Sequence, residues 1–159
     1  MKRIHRGMAL ALSAVLLLLT AAPSAWAAEN TITIETAQDL AELSKNCSLD
    51  SWSQGKTVFL AGDIDLTGTD FRPIPTFGGT FDGQGHTISG LLVTGNGNVQ
   101  GLFRYVQVGG VVQDLSVRGT VSPTDFRDTA GGIVGSNRGQ LLRCTFQGTV
   151  KGESSVGEI

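Results

Sequence analysis

The chain has 159 residues and a formal net charge of −2, from 12 basic and 14 acidic side chains. With no basic run, it has little to offer nucleic acid or an anionic lipid surface. Its 22 glycines lack the period of three that collagen needs, and they fit a protein built from many short strands and turns.

Residues 1–27 read as a secretory signal peptide. Lys2, Arg3 and Arg6 form a basic start, and Met8 to Ala22 is an apolar run. That run is shorter than the roughly 20 residues of a membrane-spanning helix. Pro23 then breaks the helix, and Ala25-Trp26-Ala27 offers small residues for cleavage after Ala27. Removing this segment takes away 3 of the 12 basic residues and none of the acids, so the mature balance is −5. No membrane span is expected after its removal, and the chain is expected outside the cytoplasm, secreted or at the cell surface.

Residues 28–56 read as an N-terminal cap. Thr31 to Glu35 alternates as a first strand, and a helix is expected over 36–45. Thr36 is its N-cap and Asp39 stands in the capping-box position. Leu40 and Leu43 give it one narrow apolar face, suited to hiding the open edge of the first rung. In the loop that follows, Trp52 is the expected packing anchor.

Residues 57–159 carry repeats. Thr57 to Leu60 reads as a strand, and Asp63 to Leu66 alternates polar and apolar. Glycine-bounded apolar segments then recur from Phe77, Gly101 and Gly132. Aligning the closing glycines Gly68, Gly95, Gly119 and Gly148 superposes Ile64/Leu66, Leu91/Val93, Leu115/Val117 and Cys144/Phe146, with Ile88, Val112 and Leu141 one step earlier. Residues two apart on a strand share a face, so these columns predict an inward ladder. A rung this small cannot hide its apolar side without neighbours above and below.

The fold class expected is all-β. It is a right-handed parallel β-helix, or solenoid, of about four rungs with a short N-terminal capping α-helix; the handedness follows from the usual parallel crossover. Asp82-Gly83, Gly95 to Gly97 and Asn137 to Gly139 are the expected corners with positive φ. Val150 to Gly157 begins a further unit, so the solenoid is expected to be open or truncated at its C-terminus, with downstream repeats of the same polypeptide missing. Cys47 and Cys144 lie about three layers apart, roughly 14 Å at strand spacing, which exceeds the reach of a disulfide.

These segments resemble the GLUG-repeat proteins of bacterial surfaces and secretions, named for a Gly-Leu-hydrophobic-Gly motif. The resemblance runs from about Ile34 onward. It rests on the Ala37 to Leu43 helix, Phe59 to Leu66, Arg72-Pro73-Ile74, Phe81 to Leu91, Gly101-Leu102-Phe103 and Gly132 to Gly135. Arg104 departs from the pattern at the last glycine of the first unit, and Glu158 departs at the second glycine of a following one. The resemblance implies a β-helical segment of a long exported protein. Some of these are adhesin-like, and others carry cell-wall-binding or peptidase domains farther along.

No residue set nominates a catalytic, cofactor-binding or metal site. His86 is the one histidine after the signal, and it is expected to pack at a corner on Phe81 rather than act as a base. Asp63-x-Asp65-x-Thr67-Gly68 imitates the start of a calcium loop, but Ile74 stands where the bidentate Glu belongs. Gln54 to Thr57 echoes a phosphate loop without its first glycine, and Gly83-Gln84-Gly85 lacks the third glycine of a dinucleotide fingerprint. Asp65, Asp82 and Asp114 are outward carboxylates on neighbouring rungs, the candidates if the solenoid were a polysaccharide lyase or glycoside hydrolase.

The reading from sequence is therefore a non-enzymatic exported module, a stalk or adhesin-like segment whose partners are surface or extracellular glycans or proteins. The alternatives are a carbohydrate-active enzyme and an inactive fragment of a longer surface protein. Tyr105, Trp52 and Phe126 are the aromatic side chains placed to stack on a sugar. Phe126 lies in the polar insert Ser122 to Thr129.

Overall fold

The chain winds as a β-solenoid of about four turns, and the computed structural model describes residues 30–124, 129–152 and 155–157. The expected signal peptide, residues 1–27, and Phe126 lie outside these residues. Among the described residues fifteen strands stack into four sheets, and every strand pairing is parallel.

The first sheet stacks β1 (Thr31–Ile34), β2 (Thr57–Leu60), β5 (Thr80–Asp82), β9 (Val111–Gln113) and β13 (Gln140–Leu142). The second stacks β3 (Ile64–Asp65), β6 (Thr87–Val93), β10 (Ser116–Val121) and β14 (Thr145–Val150). β7 (Val99–Gln100), β11 (Thr129–Gly131) and β15 (Ser155–Gly157) form the third. The fourth holds β4 (Ile74–Phe77), β8 (Phe103–Val106) and β12 (Val134–Asn137). From β5 onward the chain visits the four sheets in this order on each turn, so each strand meets the strand one turn earlier.

The helix α1 (Ala37–Asn46) leaves the first sheet directly after β1. The Thr36 hydroxyl accepts from Asp39 N at 3.2 Å, while Asp39 Oδ2 accepts from Thr36 N at 2.9 Å, closing the expected capping box. Leu40, Leu43 and Cys47 enter the same core as the strands. The Ser44 hydroxyl donates to Arg72 O at 2.8 Å, tying the helix to the segment that leads into β4. Trp52 packs on the core as expected, with Lys56 Nζ 5.2 Å from its ring centroid.

Phe77, Phe81 and Phe103 fill the bore. All three are fully buried, and their ring centroids lie 5.2 to 6.1 Å apart in tilted or edge-to-face contacts. Each ring comes from a different strand, so this cluster joins the first and fourth sheets across two turns. Leu91 and Leu115 are buried too, and Cys144 packs half-buried at the last described turn of the second sheet.

The register corrects the sequence alignment in the second unit. Gly119 does pair with Gly148, and Val117 with Phe146. However, the partner of Gly119 in β6 is Leu91 rather than Gly95, and Val117 stands over Ile88, which stands over Ile64. Ile88 therefore belongs to the second sheet. The residue stacked with Val112 and Leu141 is Phe81, with Val58 below it.

Gly95 lies beyond the end of β6, whereas Gly119 lies inside β10, so the two glycines are not counterparts. Two insertions further distinguish the second unit. Gly83 to His86 spend four residues on a corner that Asp114-Leu115 and Arg143-Cys144 each turn in two. β6 also carries one extra residue around Gly90, a bulge at φ +69°.

The corners also differ from expectation. Gly97 has positive φ as foreseen, but Gly83, Gly95 and Gly139 do not, and positive φ at other connections falls to Gly68, Gln84, Gly85, Gly109, Asp114 and Arg143 among others. Gly83 is needed for another reason. A Cβ there would stand 2.5 Å from Asp114 O and 2.8 Å from Leu115 Cα on the turn above.

Candidate binding groove

The fourth sheet borders a concave surface. Its register sets Thr76, Tyr105 and Ser136 in one row and Phe77, Val106 and Asn137 in the next. Inward, Ile74, Phe103 and Val134 are buried. Outward, Arg104 and Tyr105 project from β8, and the Arg104 guanidinium carbon lies 5.9 Å from the Tyr105 ring centroid. Tyr105 is 40% exposed.

Two grooves meet on this face and share Pro75 and Arg104. The larger, about 960 Å³, runs between the second half of α1, the segment 70–73 and the connection 94–98. Lys45, Arg72, Arg104, Asp70 and Gln100 are among its lining residues. The smaller, about 470 Å³, continues along the axis past Tyr105 to Arg138, with Asp50 on its edge. Four cations thus face two acids, in a chain whose overall balance is acidic.

The floor is built by hydrogen bonds that leave side-chain ends turned outward. Arg104 Nε donates to Val99 O at 2.9 Å, which fixes the guanidinium against the third sheet. Gln107 Nε2 donates to Thr76 Oγ1 and to Asp50 O, both at 2.9 Å, and so locks the 48–56 loop onto the groove. Gly97 lies beside Gln100 and Arg104. A Cβ on it would stand 2.8 Å from Gln100 Nε2 and 3.5 Å from Arg104 Nη2. Gln100 is 5% exposed, and among the described residues no hydrogen bond reaches its side-chain amide.

The residues considered for chemistry lie elsewhere. His86 is half-exposed, and its polar neighbour is Asp63, with Nδ1 3.5 Å from Oδ1; that same oxygen accepts from Thr87 N. Asp65 Oδ1 accepts from Thr67 N at 2.9 Å, and its bonds to Thr67 hold the carboxyl below its ordinary pKa. Asp82 accepts from Gln84 N and Gln113 Nε2. Asp114 is gripped by Arg143, which lowers its pKa in turn. Asp65, Asp82 and Asp114 share the side of the first two sheets and are each engaged within the protein.

Ile64 and Leu66 are buried between exposed Asp63 and Asp65, as a strand rather than a calcium loop would place them. Among the described residues no three His, Cys, Asp or Glu side chains converge as metal ligands. Gln54 Nε2 donates to Gln107 Oε1 and Lys56 lies over Trp52, so the Gln54 to Thr57 segment is engaged as structure.

Of the three aromatic candidates, the structure brings Tyr105 to the groove, while Trp52 packs on the core. Lys45, Arg72, Arg104 and Arg138 went unnoticed as a set because they come from different turns. The available signal was Arg104, a cation on β8 beside buried Phe103 that lines both grooves.

The fold and this groove define a parallel β-solenoid with an axial polar cleft. Among curated proteins, the chain is similar to Halomucin from Haloquadratum walsbyi, 31% identical over 126 residues. The match covers 69% of this chain and about 1% of the length of Halomucin. No family model matches the chain. No solved structure matches it either. Among the described residues no helix is long and apolar enough to cross a membrane.

Proposed function

We propose that this chain is a non-enzymatic module of an exported surface protein, a right-handed β-helix of the GLUG-repeat type. In this reading it serves as a stalk or adhesin-like segment that meets extracellular glycans or proteins. Residues 1–27 direct export, and α1 shields the first rung. The similarity to a small part of a far longer protein supports a module within a larger architecture.

The observation that carries the reading is the state of the outward carboxylates. A glycosidase needs one carboxyl held protonated and a second free to attack or to activate water. Here Asp65 and Asp114 have their pKa lowered by hydrogen bonds, opposite to what a general acid requires. Asp82 is occupied by Gln84 and Gln113. The exposed surface that remains, along the fourth sheet, is shaped for contact along the axis.

Expression of the full gene in a bacterial host, with fractionation and a reducing-sugar assay on a polysaccharide panel, tests this. The expected result is an extracytoplasmic protein beginning at Ala28, with no reducing ends released. Retention in the cytoplasm, or sugar release abolished by Asp82→Asn, would overturn it.

A further inference from the structure

We infer that the groove along the fourth sheet is a binding site for an acidic polysaccharide, lying lengthwise over Arg104 and Tyr105. This deepens the reading of a glycan- or protein-binding module and rests on it.

Charge is the first argument. Lys45, Arg72, Arg104 and Arg138 outnumber Asp50 and Asp70 along the two joined grooves, whereas the chain after its signal carries −5. A cationic cleft on an acidic protein concentrates an anion locally and repels it elsewhere. Three of the four cations are arginines, whose planar fork suits carboxylate and sulfate oxygens.

Shape is the second. Pro75 and Arg104 line both grooves, so the cleft continues past the β8 strand toward Arg138 on the next turn. Rows at about 4.8 Å spacing offer repeated contacts to a repeating ligand. Tyr105 adds a half-exposed ring beside the guanidinium of Arg104, an apolar face with a polar rim for a pyranose.

The third argument is Gln100. A buried amide with no partner costs stability, and this one, without a partner among the described residues, lines the larger groove beside Arg104. Gly97, at φ +153°, leaves the approach open, since a side chain there would stand on the amide. A sugar hydroxyl or carboxylate reaching the floor supplies the missing partner. Gln100 and Arg104 then read the ligand at the bottom of the cleft, while Lys45, Arg72 and Arg138 hold it at the rim.

Affinity electrophoresis and calorimetry of the full chain, secreted by its host, test the inference. The probes are polygalacturonate, dextran sulfate, neutral dextran and poly-L-glutamate. Retention by polygalacturonate marks a carboxylated sugar and retention by dextran sulfate a sulfated one; either supports the site. Arg72→Ser, at an exposed position, weakens binding about fivefold, the effect of one exposed charge contact. Raising salt to about 0.5 M weakens it further. Gln100→Leu loses affinity while leaving the melting temperature unchanged or higher, because an unpartnered amide is replaced by an apolar side chain.

A lower melting temperature in Gln100→Leu would show that the amide has an internal partner and overturn its role. Equal retention by poly-L-glutamate, or binding indifferent to Arg72→Ser and Tyr105→Ala, would overturn the site. Binding of neutral dextran or of a protein that Arg72→Ser leaves intact removes this inference alone and leaves the module reading standing.

Discussion

Arg143 sits one turn beyond Asp114 at the same corner and grips it with two parallel bonds, Nε to Oδ1 at 2.6 Å and Nη2 to Oδ2 at 2.7 Å. Both residues have left-handed backbone, with φ of 53° and 51°. Neither is a glycine, so each corner adopts a conformation that L-residues disfavour. The ion pair links the two strained corners and favours their stacking. It is solvent-exposed, and screening keeps its contribution small.

Its pH dependence has a definite sign. The hydrogen bonds from Arg143 lower the pKa of Asp114 from its ordinary 3.8. A depressed carboxyl contributes stability that is whole well above 3.8, declines as pH falls through that value, and is gone below the folded pKa. Arg143→Gln is therefore expected to melt lower than the parent at pH 7, with the gap closing below about pH 4. Circular-dichroism melts at pH 7 and pH 3 check this. A gap as wide at pH 3 as at pH 7 would mean the pair is not its source.

The aromatic cluster carries the largest single-residue effect. Phe103 is wholly buried between Phe77 and Phe81, at 5.4 and 5.2 Å between ring centroids. Phe103→Ala is expected to cost about 3–5 kcal/mol in urea unfolding. Phe103→Leu keeps most of the volume and is expected to cost less. Equal losses from both would show that ring geometry, and not filled space, holds the first and fourth sheets together.

Three glycines separate close approach from backbone conformation. Gly83→Ala forces a Cβ to 2.5 Å from Asp114 O, a backbone atom of the next turn. It is expected to destabilise by more than about 2 kcal/mol, since neither turn can yield cheaply. Gly68 has φ +74° and open space, so alanine there meets only backbone strain of about 1 kcal/mol. Gly95 has neither obstacle, and Gly95→Ala is expected to be neutral or to stabilise by up to about 1 kcal/mol. Thermal melts of the three variants should rank in that order.

The same glycines show how far the sequence could be read. The solenoid was legible because Ile64, Leu91, Val117 and their neighbours recur as inward residues, and a short strand has only one way to hide them. The α1 start was legible because Thr36 and Asp39 act within four residues of chain. The register of the second unit was not. Gly95 follows the end of β6 at Val93 while Gly119 lies within β10, and both close similar apolar runs, so spacing alone matched two glycines that are not stacked. The groove was hidden for a related reason. Lys45, Arg72, Arg104 and Arg138 become neighbours only after three turns are stacked in register.

The two cysteines report whether α1 and the strands unfold as one unit. Both are free thiols, in keeping with the separation expected from the sequence. Cys47 is fully buried behind α1, and burial pushes its pKa up to about 11, against a smaller opposing effect of its bond from Ser53. At pH 8 only on the order of one molecule in a thousand carries its thiolate, and the reagent cannot reach it in the folded chain. Cys144 is half-buried at the last described turn, where burial also raises its pKa, though it remains partly accessible. Native-state labelling with a thiol-exchange reagent should therefore modify Cys144 first. Cys47 should follow at a rate set by opening of the fold. If the helix and the solenoid are one cooperative body, labelling of Cys47 and loss of the β-sheet signal share one urea midpoint. Labelling of Cys47 at much lower urea would show that α1 lifts away by itself, leaving β1 and β2 to end the solenoid unprotected.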